Sequence, residues 1–235
     1  MELRLLSHES LEDLSGNIKI IQNKNLYRFN EDSVLLADFT RVDKKSRVVD
    51  LGTGSGVLLL LLFAREPSIE GVGVEIQREL AEMASRSVSY NGLAGKIKVI
   101  NNDLKNAQQF LTKNSWDLVV SNPPYIPKGK GRTSPRREIA IARQEIYCTL
   151  QDVVNTAAML LKPGGSFAMV HRVERLPEIM VLFKKNGLEP RRMQLVAASE
   201  NKAPYLVLIQ SWKNSSPGLE VLPQKNLNEC WKRRK

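Results

Sequence analysis

Short apolar runs alternate with helix-length segments over most of the chain. The runs have the length of buried strands, and several of the longer segments end at asparagine or glycine, as helices commonly do. This alternation predicts βαβ units, and therefore a mostly parallel sheet with helices on both faces. The predicted strands are residues 47–51, 71–75, 96–100, 116–120 and 166–170, and the predicted helices are residues 57–65, 77–90, 149–161 and 176–186.

The chain of 235 residues has the size of one domain with flanking segments. Two β-rich runs, residues 193–198 and 205–212, follow the last predicted helix. We expect an N-terminal segment (1–44), a central domain (45–213) and a basic tail (214–235). The tail lacks periodicity from residue 215 onward, so it is predicted to be loop or frayed.

Composition excludes several classes of protein. With 42% hydrophobic and 26% charged residues, the chain is neither collagen-like nor wholly disordered. The longest apolar run, residues 57–64, is far shorter than the roughly 20 residues of a membrane-spanning helix. The first ten residues lack the apolar region of a secretory signal. The two cysteines, Cys148 and Cys230, do not have the spacing of metal ligands. We expect a cytoplasmic protein without metal or membrane contact, and a monomer is favoured.

Positive charge is concentrated in the second half of the chain. Residues 126–235 carry 20 basic and 9 acidic side chains, a net charge of +11, whereas the whole chain has +10. Such a one-sided distribution favours a polyanionic partner such as nucleic acid. A solvated basic surface that aids solubility is the alternative interpretation.

A glycine-rich turn separates the first predicted strand from the first helix. Its spacing, Gly52-Thr-Gly54-Ser-Gly56, differs from the dinucleotide fingerprint, and no Gly-Lys-Ser/Thr follows, so a Walker loop is excluded too. Asp50 lies at the end of the strand, and the turn allows a ligand of adenosyl type to pack against the main chain. Solvent-exposed acids beside an ordinary tight turn are the alternative.

Polar residues also end the next two predicted strands. Glu75 could accept hydrogen bonds from both hydroxyl groups of a ribose, and Asn102 with Asp103 could bind the adenine amine. Because parallel strands end at the same edge of the sheet, these side chains are expected to lie together. Three strand ends in register therefore predict a nucleoside-binding site.

Asn122-Pro-Pro-Tyr125 follows the fourth predicted strand directly. Two consecutive prolines restrict the backbone, so the turn is expected to be rigid before a substrate arrives. The side-chain carbonyl of Asn122 and the backbone carbonyl of Pro123 are two acceptors for an amino group with two hydrogens. Tyr125 offers a ring on which a planar base could stack. The alternative is a proline-rich turn with a buried tyrosine.

The glycine turn with Asp50, the polar strand ends and Asn122-Pro-Pro-Tyr125 together resemble class I S-adenosylmethionine-dependent methyltransferases that modify amino groups. Their order and spacing match over residues 45–170. The resemblance implies an α/β, Rossmann-like fold with a mostly parallel seven-stranded sheet and a reversed last strand, for which residues 205–212 are the candidate. It also implies S-adenosylmethionine as the cofactor, held by Asp50, Gly52, Gly54, Gly56, Glu75, Asn102, Asp103 and Asn122.

Two subfamilies share the Asn-Pro-Pro-Tyr run: glutamine methyltransferases that modify release factors, and adenine-N6 methyltransferases that act on RNA or DNA. The first has a long helical domain before the glycine turn, whereas only 49 residues precede Asp50 here. Residues 14–22, 27–36, 141–145 and 170–172 are similar to bacterial tRNA(Val) adenine-N6 methyltransferases, which modify the adenine next to the anticodon. Gln144 departs from the histidine expected there, and the tail is divergent.

This resemblance implies roles for further residues. Arg28 and Phe29 belong to the segment around Arg28 to Asp32, which would cover the methionine end of the cofactor. Asn122 and Pro123 would align the adenine amine, and no general base is required. Phosphate contacts to tRNA are expected from the basic residues Lys128, Lys130, Arg132, Arg136, Arg137 and Arg172. His171 is a further candidate for RNA contact, and a structural role is the alternative, since a lone histidine at a strand end is more often structural.

Three other functions stay open from the sequence. They are methylation of a protein glutamine, methylation of a small molecule, and RNA binding by a module whose cofactor pocket is not catalytic.

Overall fold

The computed structural model describes residues 5–127 and 145–227. The strands of this part are β1 (Glu9–Ser15), β2 (Ile18–Asn23), β3 (Arg47–Leu51), β4 (Glu70–Glu75), β5 (Ile97–Asn101), β6 (Trp116–Ser121), β7 (Leu161–Arg172), β8 (Leu188–Ala197), β9 (Leu206–Lys213) and β10 (Glu220–Asn226). Its α-helices are α1 (Glu31–Phe39), α2 (Val57–Arg65), α3 (Arg78–Tyr90), α4 (Leu150–Leu160) and α5 (Leu176–Lys185). Short 3₁₀ helices lie at Leu104–Gln109 and Val173–Arg175.

One central sheet has the strand order β10-β8-β9-β7-β6-β3-β4-β5. Neighbouring strands are parallel except at β9, which runs antiparallel to both β7 and β8. The predicted Rossmann-like class and the reversed strand near residues 205–212 are therefore confirmed. The sheet has eight strands in the described ranges rather than seven, because the tail contributes one.

Apolar side chains fill both faces of the sheet. Successive residues of a strand point to opposite faces, and β6 follows this rule: Leu118 and Val120 pack in the cluster that contains α2, whereas Val119 packs with α4 and α5. Helix α2 is apolar around most of its surface and buried along six consecutive residues, Val57 to Leu62. Two packed layers thus hold the strand ends in fixed positions.

A β-hairpin at the start of the described chain attaches to α3. Strands β1 and β2 pair antiparallel. The Ile21 N–H donates to Ser87 Oγ at 3.0 Å, and the side chain of Asn91 bonds both the N–H and the C=O of Lys19 at 2.9 and 2.7 Å. Helix α1 follows the hairpin and packs with α2 in the same apolar cluster. The N-terminal segment is therefore fastened to the central domain.

The expectation that residues beyond 215 form only loop is wrong. Residues Glu220–Asn226 form β10, which pairs parallel with β8 at the edge of the sheet. Leu222 packs against the apolar cluster beneath it. Pairing with a distant strand, rather than a local apolar pattern, thus creates this element.

Candidate active site

A cleft of about 730 Å³ lies at the carboxyl edge of the sheet. The ends of β3, β4, β5 and β6 form its floor, and the segment before α4 forms one wall. The sequence-predicted residues that border it are Gly52, Gly54, Glu75, Asn102, Asp103, Asn122 and Pro123. The strand ends predicted to lie together thus meet in one place.

The glycine turn needs its glycines for backbone conformation. Gly52, Gly54 and Gly56 have φ values of +76°, +57° and +85°, in the left-handed region that other residues rarely adopt. The N–H groups of Gly52 and Thr53 donate to the Val74 carbonyl at 2.9 and 3.0 Å, which fastens the turn to β4. Gly56 then caps the start of α2. The main chain of the turn borders the cleft directly.

Both carboxylate oxygens of Glu75 accept backbone hydrogen bonds. Oε2 accepts from the Gly54 N–H at 2.8 Å, and Oε1 accepts from the Gln77 N–H at 2.9 Å. Burial raises the pKa of Glu75 above its ordinary value, although these hydrogen bonds oppose the change. The carboxylate is fixed at the cleft with a lone pair left on each oxygen, which suits a ligand with two neighbouring hydroxyl groups.

Asp50 lies beneath the turn and is completely buried. Its Oδ2 accepts from Thr53 Oγ1 at 2.7 Å, whereas Oδ1 has no hydrogen-bond partner in the described ranges. Burial raises the pKa of Asp50 to about 7; the Thr53 hydrogen bond opposes this change, and the nearby Glu75 adds to it. Direct contact between Asp50 and a cofactor stays a prediction.

The Asn122-Pro-Pro-Tyr125 turn is held from three directions. Before the turn, Ser121 Oγ donates to the Leu51 carbonyl at 2.7 Å. Asn122 Nδ2 donates to Ser33 Oγ at 2.9 Å, and its Oδ1 accepts from Tyr125 Oη at 2.7 Å. Both prolines also border the cleft. The amide is therefore oriented by its neighbours in the absence of a substrate.

Tyr125 points its hydroxyl group inward. Besides Asn122, Oη lies 2.9 Å from Asp32 Oδ2, and the ring centroid lies 5.1 Å from that of His171. Burial, with Asp32 nearby, raises the pKa of Tyr125 well above its ordinary value. The hydroxyl is thus neutral at physiological pH. Stacking of a base on this ring stays a prediction.

The predicted contact between His171 and RNA is not available in this structure. His171 is fully buried, and its Nδ1 accepts from the Arg172 N–H at 2.8 Å. Burial lowers the pKa of His171 to about 4, so the ring is neutral. Arg172 is half exposed and lies over the Tyr205 ring at 5.3 Å. The other predicted phosphate contacts, Lys128, Lys130, Arg132, Arg136 and Arg137, lie outside the described residues.

Arg28 and Phe29 are not found among the described residues that border the cleft. Arg28 pairs with Glu12 at 2.5 Å, and Phe29 packs against the core and borders a separate cavity beside the hairpin. The residue of this segment that does border the cleft is Tyr27. Backbone direction in an irregular segment decides which of three neighbours faces inward, and a sequence pattern does not reveal it.

Apolar walls of the cleft were missed by the sequence analysis. Ile76 follows Glu75 directly and is 36% exposed, an unusual position for isoleucine. Its place beside a strand-end acid was the available signal. Cys148 packs against the core but also borders the cleft, and burial raises the pKa of its thiol to about 12. Further apolar or aromatic lining comes from Leu80, Leu104, Tyr147 and Val153.

Membrane-spanning helices and metal-ligand clusters are both absent from the described ranges. None of the helices there is long and apolar enough to cross a membrane. Within the same ranges, His, Cys, Asp and Glu side chains form no group of three that could hold a metal ion.

Comparison with known proteins agrees with this geometry. The sequence profile of the methyltransferase small domain matches residues 17–185. The chain belongs to this family. A tRNA1(Val) (adenine(37)-N6)-methyltransferase of Tolumonas auensis is 30% identical over 191 residues, covering 81% of this chain and 78% of that protein. The protein with the same description from Cronobacter sakazakii is 32% identical over 191 residues, with 80% and 75% covered.

A solved structure supports the same fold. A predicted O-methyltransferase from Agrobacterium tumefaciens superposes with a TM-score of 0.67 at 22% identity, covering 83% of this chain and 87% of that one. This methyltransferase small domain uses S-adenosylmethionine as its cofactor. Its residues fit that group, because the glycine main chain, the Glu75 carboxylate and the apolar side chain of Ile76 border one cleft.

Proposed function

We propose that this methyltransferase modifies the exocyclic N6 of an adenine in tRNA, and that the target is the adenine next to the anticodon of tRNA-Val. The observation that carries the proposal is the Asn122-Pro-Pro-Tyr125 turn, whose oriented amide borders the cofactor cleft. Two relatives that match about four fifths of this chain are tRNA1(Val) (adenine(37)-N6)-methyltransferases, which supports adenine in tRNA as the substrate.

The reaction depends mainly on positioning. S-adenosylmethionine, when bound, supplies an electrophilic methyl group on a sulfonium. Asn122 Oδ1 and the Pro123 carbonyl accept the two hydrogens of the adenine amine, which directs the nitrogen lone pair away from the ring. Oδ1 has two lone pairs, and Tyr125 occupies only one of them. Holding two reactants in such an alignment can be worth about 7–11 kcal/mol.

No side chain is needed as a general base in this scheme, because the ammonium that methyl transfer forms on adenine is strongly acidic and loses its proton readily to water. The lowered pKa of His171, about 4, makes its ring a weak base, and the raised pKa of Cys148, about 12, keeps its thiol protonated, so both groups are consistent with that scheme.

The charge distribution favours RNA over a protein substrate. The +11 charge of residues 126–235 suits a phosphate backbone. Asn122 and Pro123 would hold a glutamine amide equally well, so the turn alone does not discriminate.

The test uses labelled S-adenosylmethionine with two substrates in parallel: total tRNA from a bacterial strain that lacks the gene, and a purified release factor. Digestion of the tRNA to nucleosides and mass spectrometry should show N6-methyladenosine, and sequencing of the labelled tRNA should place it next to the anticodon. Label that enters only the release factor, or RNA binding without methylation, would overturn the proposal.

An Asn122→Ala variant tests the role of the turn. Its turnover is expected to fall by about 100-fold or more, while its affinity for the cofactor changes little. Asn17→Ala, which removes an exposed amide from the hairpin turn, is the matched control and should keep wild-type turnover. Wild-type turnover in the Asn122→Ala variant would contradict the assignment.

A further inference from the structure

The start of α1 reaches across the molecule to the Asn122 turn. Asp32 and Ser33 are neighbours in its first turn, and their side chains are 8% and 4% exposed. Ser33 Oγ lies 2.9 Å from Asn122 Nδ2, and Asp32 Oδ2 lies 2.9 Å from Tyr125 Oη. Both ends of the Asn122 amide are therefore held, one directly by Ser33 and the other through Tyr125.

A helix-capping role does not explain these two side chains. An acid in the first turn usually stabilises a helix by accepting from its free N–H groups. Asp32 instead bonds Tyr125 and the Asn30 side chain, the latter at 2.8 Å. Nor does Asn30, at the capping position, make a side-chain cap within the described part of the chain. A buried carboxyl that leaves the helix end uncapped is directed toward something else.

Proton counting shows how the group is arranged. Tyr125 Oη lies within hydrogen-bond distance of two oxygen atoms, Asp32 Oδ2 and Asn122 Oδ1, but a hydroxyl carries one proton. Asp32 Oδ2 and Asn122 Oδ1 both accept from the Tyr125 hydroxyl, so they share its single proton. Burial raises the pKa of Asp32, whereas its hydrogen bonds with Tyr125 and Asn30 lower it.

We propose that Asp32 and Ser33 are positioning residues, which keep the Asn122 carbonyl turned toward the amino group of the substrate. Asp32 and Asn122 Oδ1 both accept from the Tyr125 hydroxyl, which Asp32 thereby holds beside the amide, and Ser33 accepts from Nδ2. Neither Asp32 nor Ser33 touches the reacting atoms. The part that concerns catalysis rests on the proposed function, whereas the hydrogen-bonded arrangement does not.

The first experiment needs no substrate. Protein labelled with ¹⁵N at asparagine gives an NMR signal pair for the Asn122 side-chain amide, which is assigned by its loss in Asn122→Ala. In Ser33→Ala and Asp32→Ala, hydrogen exchange of this amide is expected to accelerate at least about 10-fold. Asp32→Asn, which keeps an acceptor oxygen in a side chain of the same shape, should retain the wild-type exchange rate. Unchanged exchange in both alanine variants would overturn the arrangement.

The second experiment measures turnover on tRNA. Ser33→Ala and Asp32→Ala are expected to lower kcat by about 10-fold to 100-fold with KM for tRNA and cofactor nearly unchanged, and Asp32→Asn should restore most of it. In an Asn122→Ala background, the same changes should cost little more, because their effect passes through that amide. Fully additive losses, or an equal loss in Asp32→Asn, would overturn the positioning role.

The control variant and the stability measurement separate this role from a structural one. Asp38→Ala removes a half-exposed carboxyl from the same helix, where it pairs with Lys225 at 3.7 Å, and should leave kcat and amide exchange unchanged. If Asp32→Ala does not fold, Ser33→Ala and Asp32→Asn still decide the question. A wild-type protein that methylates no tRNA but shows the predicted exchange pattern would refute the proposed function and leave the arrangement standing.

Discussion

Asp50 provides a quantitative test of how burial governs this site. In the folded protein its pKa is about 7, against 3.8 in the unfolded chain, because the carboxyl is completely buried. The folded state therefore binds the proton more tightly than the unfolded chain. The contribution of this carboxyl to the unfolding free energy is fully present below pH 3.8 and is lost as pH rises toward 7. A difference of about 3 pKa units at about 1.4 kcal/mol each amounts to about 4 kcal/mol. An Asp50→Asn variant has no such dependence.

The assay is urea unfolding of wild type and Asp50→Asn without cofactor, from about pH 4 to about pH 8. Only the difference in unfolding free energy between the two proteins is used. Both contain His171, whose pKa is lowered to about 4, so the stability of each rises with pH between about 4 and 6.5, and this rise cancels in the difference. The variant is expected to gain about 4 kcal/mol of unfolding free energy relative to wild type across this range. Asp38→Asn is the exposed control. A difference that stays constant with pH would refute the reasoning.

Three further predictions concern the turn, the cofactor and RNA. In Gly73→Ala, the new Cβ would lie 2.7 Å from a threonine methyl group in the glycine turn, so the unfolding free energy in a urea titration should fall by about 1–3 kcal/mol. Gly95→Ala, with open space around the new Cβ, is the control. Glu75→Gln leaves one backbone N–H without its carboxylate partner, and the affinity for S-adenosylmethionine measured by calorimetry should fall at least about 10-fold. An unchanged affinity would count against a role of Glu75 in binding the ribose hydroxyl groups. His171→Phe should leave tRNA affinity unchanged in filter binding, whereas Arg172→Ala should weaken it and reduce its salt dependence by about one phosphate contact; the reverse ranking would contradict the burial argument.

The central sheet was predictable because its strands are buried on both faces. Runs such as residues 47–51 and 116–120 are mostly apolar rather than strictly alternating, as expected for strands with both faces buried. The hairpin β1–β2 and strand β10 lack this signal. Strand β10 contains Pro, Gln, Lys and Asn, and its position depends on pairing with β8, roughly thirty residues earlier. The position of such an edge strand is determined by contacts with distant residues, which a local sequence pattern does not reveal.

The candidate site was predictable where it depends on strand ends. Glu75 is the last residue of β4, and Asn102 and Asn122 directly follow β5 and β6, so a parallel sheet brings them to one edge. Which side chain of an irregular segment faces that edge was not predictable: Tyr27 borders the cleft, whereas Arg28 and Phe29 turn away. The same limit applied to the link between Asp32 and Tyr125, which are 93 positions apart.

The link between helix α1 and the Asn122 turn also determines when the oriented amide can form during synthesis and folding of the chain. During translation, Ser33 leaves the ribosome 89 residues ahead of the asparagine that it holds. A nascent chain that has folded only its early part therefore has no oriented amide, and a chain cut anywhere between the two partners keeps the amide oriented only while the fragments stay associated. The oriented amide consequently forms late, only when both distant pieces of the chain have met.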